Sequence, residues 1–130
     1  MTGGTLQHAR LESSDRQLPV VPGWRLNARI VRAFAVAGWD GTAELGANAN
    51  GPSHLTTDPL LDRRIPSFAT FDFATRLRRA PWSLGLTVTN MFGADADSFA
   101  YGNPFSLALA AQHVPLRPRS IGIRIGWNGF

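Results

Sequence analysis

The most regular feature of the chain is an alternation of apolar and polar residues, which runs through five segments. Between Trp24 and Ile30, Trp24, Leu26, Ala28 and Ile30 alternate with Arg25, Asn27 and Arg29. Between Gly41 and Asn50, Ala43, Leu45, Ala47 and Ala49 alternate with Thr42, Glu44, Gly46, Asn48 and Asn50. From Phe68 to Arg78, Ala69, Phe71, Phe73 and Leu77 oppose Thr70, Asp72, Ala74, Arg76 and Arg78. From Trp82 to Val88, Trp82, Leu84, Leu86 and Val88 oppose Ser83, Gly85 and Thr87. From Ser120 to Asn128, Ile121, Ile123, Ile125 and Trp127 oppose Gly122, Arg124, Gly126 and Asn128. A period of two predicts strands with one apolar and one polar face. Glycine and alanine are weak strand formers, so the prediction rests on spacing rather than propensity.

The links between these segments alternate in length. Those around Ala35–Asp40 and Arg79–Pro81 are short; Gly51–Pro66 and Gly93–Pro118 are long and contain most of the prolines. Short links imply antiparallel neighbours, and the alternation puts the long links together at one end. The expected fold is all-β: an antiparallel up-and-down meander of about five strands, laid out like an incomplete piece of a transmembrane β-barrel. Five strands of ten residues would present an apolar face of roughly 800 Å², more than the roughly 300–600 Å² of the largest patch on a typical soluble monomer. Amphipathic helices that could cover it are scarce: Thr5–Leu18 is mostly polar and Phe105–His113 makes about two turns. Lipid is the better cover. The tryptophans agree, because Trp39 and Trp82 open strands, Trp127 closes one at the same level, and Trp24 falls at the opposite level. Indoles collect at the two membrane boundaries of barrels.

Composition narrows the alternatives. The chain has 130 residues, 44% hydrophobic and 17% charged, which fits one folded domain and disfavours disorder. All thirteen basic residues are arginine and the formal net charge is +4, but the arginines are interspersed with acids and form no basic stripe. Cysteine is absent, which removes disulfides, thiolate metal sites and cysteine nucleophiles. The first eighteen residues are polar and mixed, so no secretory signal peptide is expected there, and no apolar run reaches the roughly 18 residues of a spanning helix.

The carboxy-terminal half resembles a known family. Trp82-Ser-Leu-Gly-Leu-Thr-Val-Thr-Asn-Met-Phe92 resembles the penultimate strand of TonB-dependent outer-membrane receptors. Asp97–Leu107 looks like the loop that follows it, and Pro115-Leu-Arg-Pro-Arg-Ser-Ile-Gly-Ile-Arg-Ile-Gly-Trp127 looks like the entry to the last strand. The similarity covers about residues 20–130 and is most specific over 82–127. It implies a polar segment over 1–22, read as the remnant of an extracellular loop, and a barrel portion over 23–130. The family tends to end on a phenylalanine in phase with the apolar alternation; Phe130 is one place out of step, and a bulge at Gly129 would restore its direction. Phe130 is therefore a candidate assembly signal. Plugged transporters have about 22 strands, so the resemblance implies a carboxy-terminal fragment lacking the plug, most of the barrel and the segment that engages TonB.

The chemistry-bearing residues do not assemble an enzyme. His8, His54 and His113 are far apart in sequence and none has a partner at metal-ligand spacing. Asp95 and Asp97 lack the glycine and glutamate of a calcium loop, and the glycines start no phosphate loop. No catalytic, cofactor or metal residue is expected, and no ligand-binding residue is assigned, although Phe99, Tyr101 and Phe105 give the second long link an aromatic character. The expected function is that of a fragment of a receptor whose full-length form takes up a scarce nutrient, such as a metal chelate or a carbohydrate, across the bacterial outer membrane. Its expected partners are outer-membrane lipid, the rest of the barrel and plug, and the assembly machinery, with no nucleic acid. The alternative is a soluble arginine-rich β-sheet module for an acidic partner such as nucleic acid.

Overall fold

The computed structural model describes residues 2–8, 21–54, 64–99 and 114–129, with backbone alone for 2–8 and 98–99. Ten strands follow in chain order: β1 (Thr2–His8), β2 (Trp24–Val36), β3 (Trp39–Asn50), β4 (Ser53–His54), β5 (Arg64–Ile65), β6 (Phe68–Arg79), β7 (Trp82–Thr89), β8 (Asp97–Phe99), β9 (Val114–Pro115) and β10 (Ser120–Trp127). There is no helix among the described residues. Six strands form one sheet in the order β1-β2-β3-β6-β7-β10, every neighbouring pair antiparallel. The fold is thus an all-β up-and-down meander. It remains open, with β1 and β10 as its edges. Two small pairs, β4–β5 and β8–β9, sit within the long connections.

All five expected strands are present; one of them runs further than expected, and a sixth strand joins the sheet. β2 continues to Val36 rather than stopping at Ile30, so its link to β3 is only Ala37-Gly38. The alternation hides this because Val31 and Arg32 invert it for one pair before Phe34 and Val36 resume it. Both link residues have left-handed backbone, φ 49° and 78°, as in the two-residue hairpin turn whose twist matches its strands. At the same end, Ala80 and Pro81, joined by a cis peptide bond, connect β6 to β7. The other difference is β1, which lies inside the polar segment 1–22 and pairs with β2 from Thr2↔Ile30 to His8↔Trp24.

The registers give the sheet straight rows of side chains. Ile30, Leu45, Phe73, Val88 and Ile121 stand opposite one another across β2, β3, β6, β7 and β10. Because neighbours in a row share a face, the same reading puts Phe34, Gly41, Leu77, Leu84 and Ile125 in a parallel row on that face. Phe34 stacks on Gly41: a Cβ added to the glycine would fall 2.5 Å from the ring, the aromatic-over-glycine arrangement that pins register. Among the described residues no second layer packs over this face; only Phe92, just after β7, meets it, at Phe71. The one buried hydrophobic residue is Ile65, 6% exposed, in the β4–β5 pair.

Candidate functional site: the two faces of the sheet

The apolar face is the first candidate surface. Ile121, Ile123, Ile125 and Trp127 are 67%, 77%, 66% and 61% exposed, and Leu26, Ile30, Val36, Leu45 and Trp82 are exposed with them. Burying a branched aliphatic side chain is worth about 1.5–3 kcal/mol. A row of such residues left in water therefore forgoes most of what usually drives folding.

The four tryptophans singled out by the sequence all belong to this face. Trp39 stands opposite Val36, Arg79 opposite Trp82, and Trp82 opposite Trp127, so three indoles and one guanidinium share the row at the two-residue-turn end. Trp24 lies at the other end of β2, its indole directly over Gly51. The backbone ladder runs on past it through Gly23 N–H to Pro52 O (3.1 Å) and Gly51 N–H to Trp24 O (2.9 Å). The thirteen residues of β2 span about 40 Å along the strand, or about 30 Å along the normal of a layer at a ~40° tilt. The Ile30 row is midway between the two tryptophan levels, and its five described side chains are all large and apolar. Besides Arg79 in the end row, Arg32 in β2 and Thr75 in β6 break the face; they share one row with Ala43 between them.

The opposite face is polar and concave. A groove of about 820 Å³ crosses it, lined by residues of β2, β3, β6, β7 and β10, among them Asp40, Glu44, Arg76, Arg78 and Arg124. Arg29 and Glu44 form a diagonal ion pair at 2.6 Å; with side chains 65% and 36% exposed it contributes at most about 1 kcal/mol. Thr89 and Ser120, opposite in register, bond through their hydroxyls at 2.6 Å.

Where β7 meets its long connection, Asn90 is a hydrogen-bond hub. It is 5% exposed and left-handed, φ 48°. Its backbone N–H donates to Asp72 Oδ1 (2.9 Å), and its Nδ2 donates to the carbonyls of Ala94 (2.8 Å) and Arg117 (3.1 Å). Its Oδ1 accepts from Ala94 N–H at 2.8 Å. Phe92 meets Phe71 edge-to-face, centroids 5.3 Å apart. Val88, Asn90 and Phe92 close the Trp82–Phe92 run that carries part of the receptor resemblance; here one pairs, one ties the connection down and one meets Phe71.

The remaining sequence candidates are scattered or undescribed. His54 pairs in register with Arg64, and Asp97 with Pro115. Phe130, Tyr101, Phe105 and His113 lie outside the described residues, as do the side chains of His8 and Phe99. Among the described residues no three His, Cys, Asp or Glu gather to hold a metal, and no helix is long and apolar enough to cross a membrane, which says nothing about crossing by strands. Comparison with family models, curated proteins and solved structures finds no match to this chain.

Proposed function

We propose that this chain is a portion of an outer-membrane β-barrel of the TonB-dependent receptor kind, its apolar face turned to lipid and its concave polar face to a wet lumen. The observation that carries the reading is the uncovered apolar face bounded at both ends by tryptophans. The ~30 Å between those levels fits an apolar band of about 25 Å flanked by aromatic girdles. Three further features support it. The two-residue turns lie at one end and the long connections at the other, as barrels arrange periplasmic turns and external loops. A groove opens on the polar face, as a lumen requires. The mixture of Arg, Asp and Glu on that face suits a water-filled interior better than a nucleic-acid surface.

Left unpaired in hydrocarbon, each backbone group of the two open edges would cost several kcal/mol, so in vesicles copies of the chain pair edge to edge, as further strands would pair with those edges in a receptor. The segment therefore acts with further strands, and in the assembled receptor it would form part of the wall through which a scarce nutrient is taken up. Reconstitution into vesicles containing phospholipids brominated at shallow or deep acyl positions tests this. Shallow bromines are expected to quench the tryptophans strongly and deep ones weakly, because all four indoles sit in the end rows. A chain that stays monodisperse in water without detergent, quenched by aqueous acrylamide alone, overturns the reading. Salt-sensitive oligonucleotide binding under those conditions would replace it with the arginine-rich binding module.

A further inference from the structure

On the concave face, the registers Arg76↔Gly85 and Gly85↔Arg124 put two guanidinium-bearing residues in one row with only a glycine between them. Adjacent strands are about 4.8 Å apart, so the two Cα positions are about 10 Å apart, a separation over which two long side chains can converge. Two of the three nearby carboxylates are engaged elsewhere. Glu44 is paired with Arg29, Asp72 accepts from the Asn90 N–H, and Asp40 stands opposite Arg78 rather than Arg76 or Arg124. Along β7 the glycine is flanked on the same face by Ser83 and Thr87, which line the same groove. The floor is open: a Cβ at Gly85 would make only ordinary contacts, the nearest 3.6 Å from Arg124 Cβ.

We propose that Arg76 and Arg124, with Gly85 as floor and the Thr87 hydroxyl beside it, form a binding site for a small polyanion, held through its oxyanions. Two guanidinium-bearing residues on either side of a glycine suit bidentate recognition of carboxylate or phosphate. A groove of about 820 Å³ is within the range of roughly 300–1,000 Å³ typical of small-molecule sites. The site needs only a wet polar face and so holds whatever covers the opposite side of the sheet.

The test is calorimetric titration of the full chain in a nonionic detergent at low ionic strength, with citrate and with inorganic phosphate as probes. At least one probe is expected to bind; tighter citrate assigns carboxylates, tighter phosphate assigns phosphate esters. Arg76→Gln and Arg124→Gln should each weaken binding by about tenfold or more, since charged hydrogen bonds are the strong ones. Gly85→Glu supplies an internal carboxylate to both arginines and should abolish binding without disturbing the strands, as followed by circular dichroism. Arg25→Gln, on the same face but away from the groove, should leave binding within about twofold, since it removes none of these contacts. Failure of both probes to bind, wild-type binding by both glutamine variants, or binding by Gly85→Glu equal to that of Arg25→Gln overturns the proposal.

Discussion

Placing arginine at successive apolar positions of β10 measures what the exposed face meets. Ile121 belongs to the central row, six residues from Trp127, which is about 20 Å along the strand and about 15 Å along the normal at a ~40° tilt. Arginine on the lipid face of a barrel costs about 2–4 kcal/mol at mid-depth and about 0–1 near the interfaces. At about 1.4 kcal/mol per tenfold, Ile121→Arg should lower vesicle partitioning by roughly thirtyfold to several hundredfold. Ile123→Arg should fall in between, and Ile125→Arg, nearest the tryptophan level, should lose less than about fivefold. Thr87→Arg, on the polar face, should match wild type. The assay is co-sedimentation with vesicles over a lipid titration. In plain water the same three positions, already two-thirds or more exposed, would tolerate arginine within about 0.5 kcal/mol. Three equal responses, without the depth order, would refute the lipid argument.

Four smaller predictions follow from local geometry. Asn90→Ala removes three side-chain hydrogen bonds and leaves alanine left-handed, a combined loss of about 2–4 kcal/mol; Asn90→Gly should lose less, and limited proteolysis between β7 and β10 should accelerate in both. Gly41→Val drives a side chain into the Phe34 ring and should destabilise by about 1–3 kcal/mol in denaturant unfolding. Ala37→Asn relieves the left-handed strain of the β2–β3 turn and should stabilise by about 0.5–1 kcal/mol in the same measurement. Glu44→Gln should cost under about 1 kcal/mol, and less still at high salt.

How much of this was legible in sequence depends on whether one residue or a register carries the information. The strands were legible because half of each is apolar at every second place, as in Ile121, Ile123 and Ile125. β1 was not, since Thr2–His8 carries a single large apolar residue, Leu6, and shows no alternation. The last turn of β2 was hidden by Val31 and Arg32. The tryptophans could be placed at strand ends from their positions in the segments. That Trp39, Trp82 and Trp127 share a row with Arg79 needed the two-residue turns, which set the pairing. For the same reason the pairing of Arg76 and Arg124 across Gly85 was invisible, because it joins three strands. The sequence marks Asn90 only as part of a family resemblance; its physical role, hydrogen bonds from backbone and side chain at one left-handed residue, joins three separate stretches of chain and so is invisible in any one of them.

The unbroken pairing from Arg25 through β3 to β6 has a consequence for how this chain can vary. With no bulge to absorb it, one residue gained or lost inside β2, β3 or β6 turns every later side chain of that strand to the opposite side. Apolar side chains would then turn to the polar face and arginines to the apolar one. Length changes are therefore tolerable only outside the paired strands and clear of the Gly51 and Asn90 hydrogen bonds, in the connections β1–β2, β4–β5 and β8–β9. Related sequences should align without gaps through the strands and drift in length there, which makes those stretches the natural places to insert an epitope or a fluorescent tag.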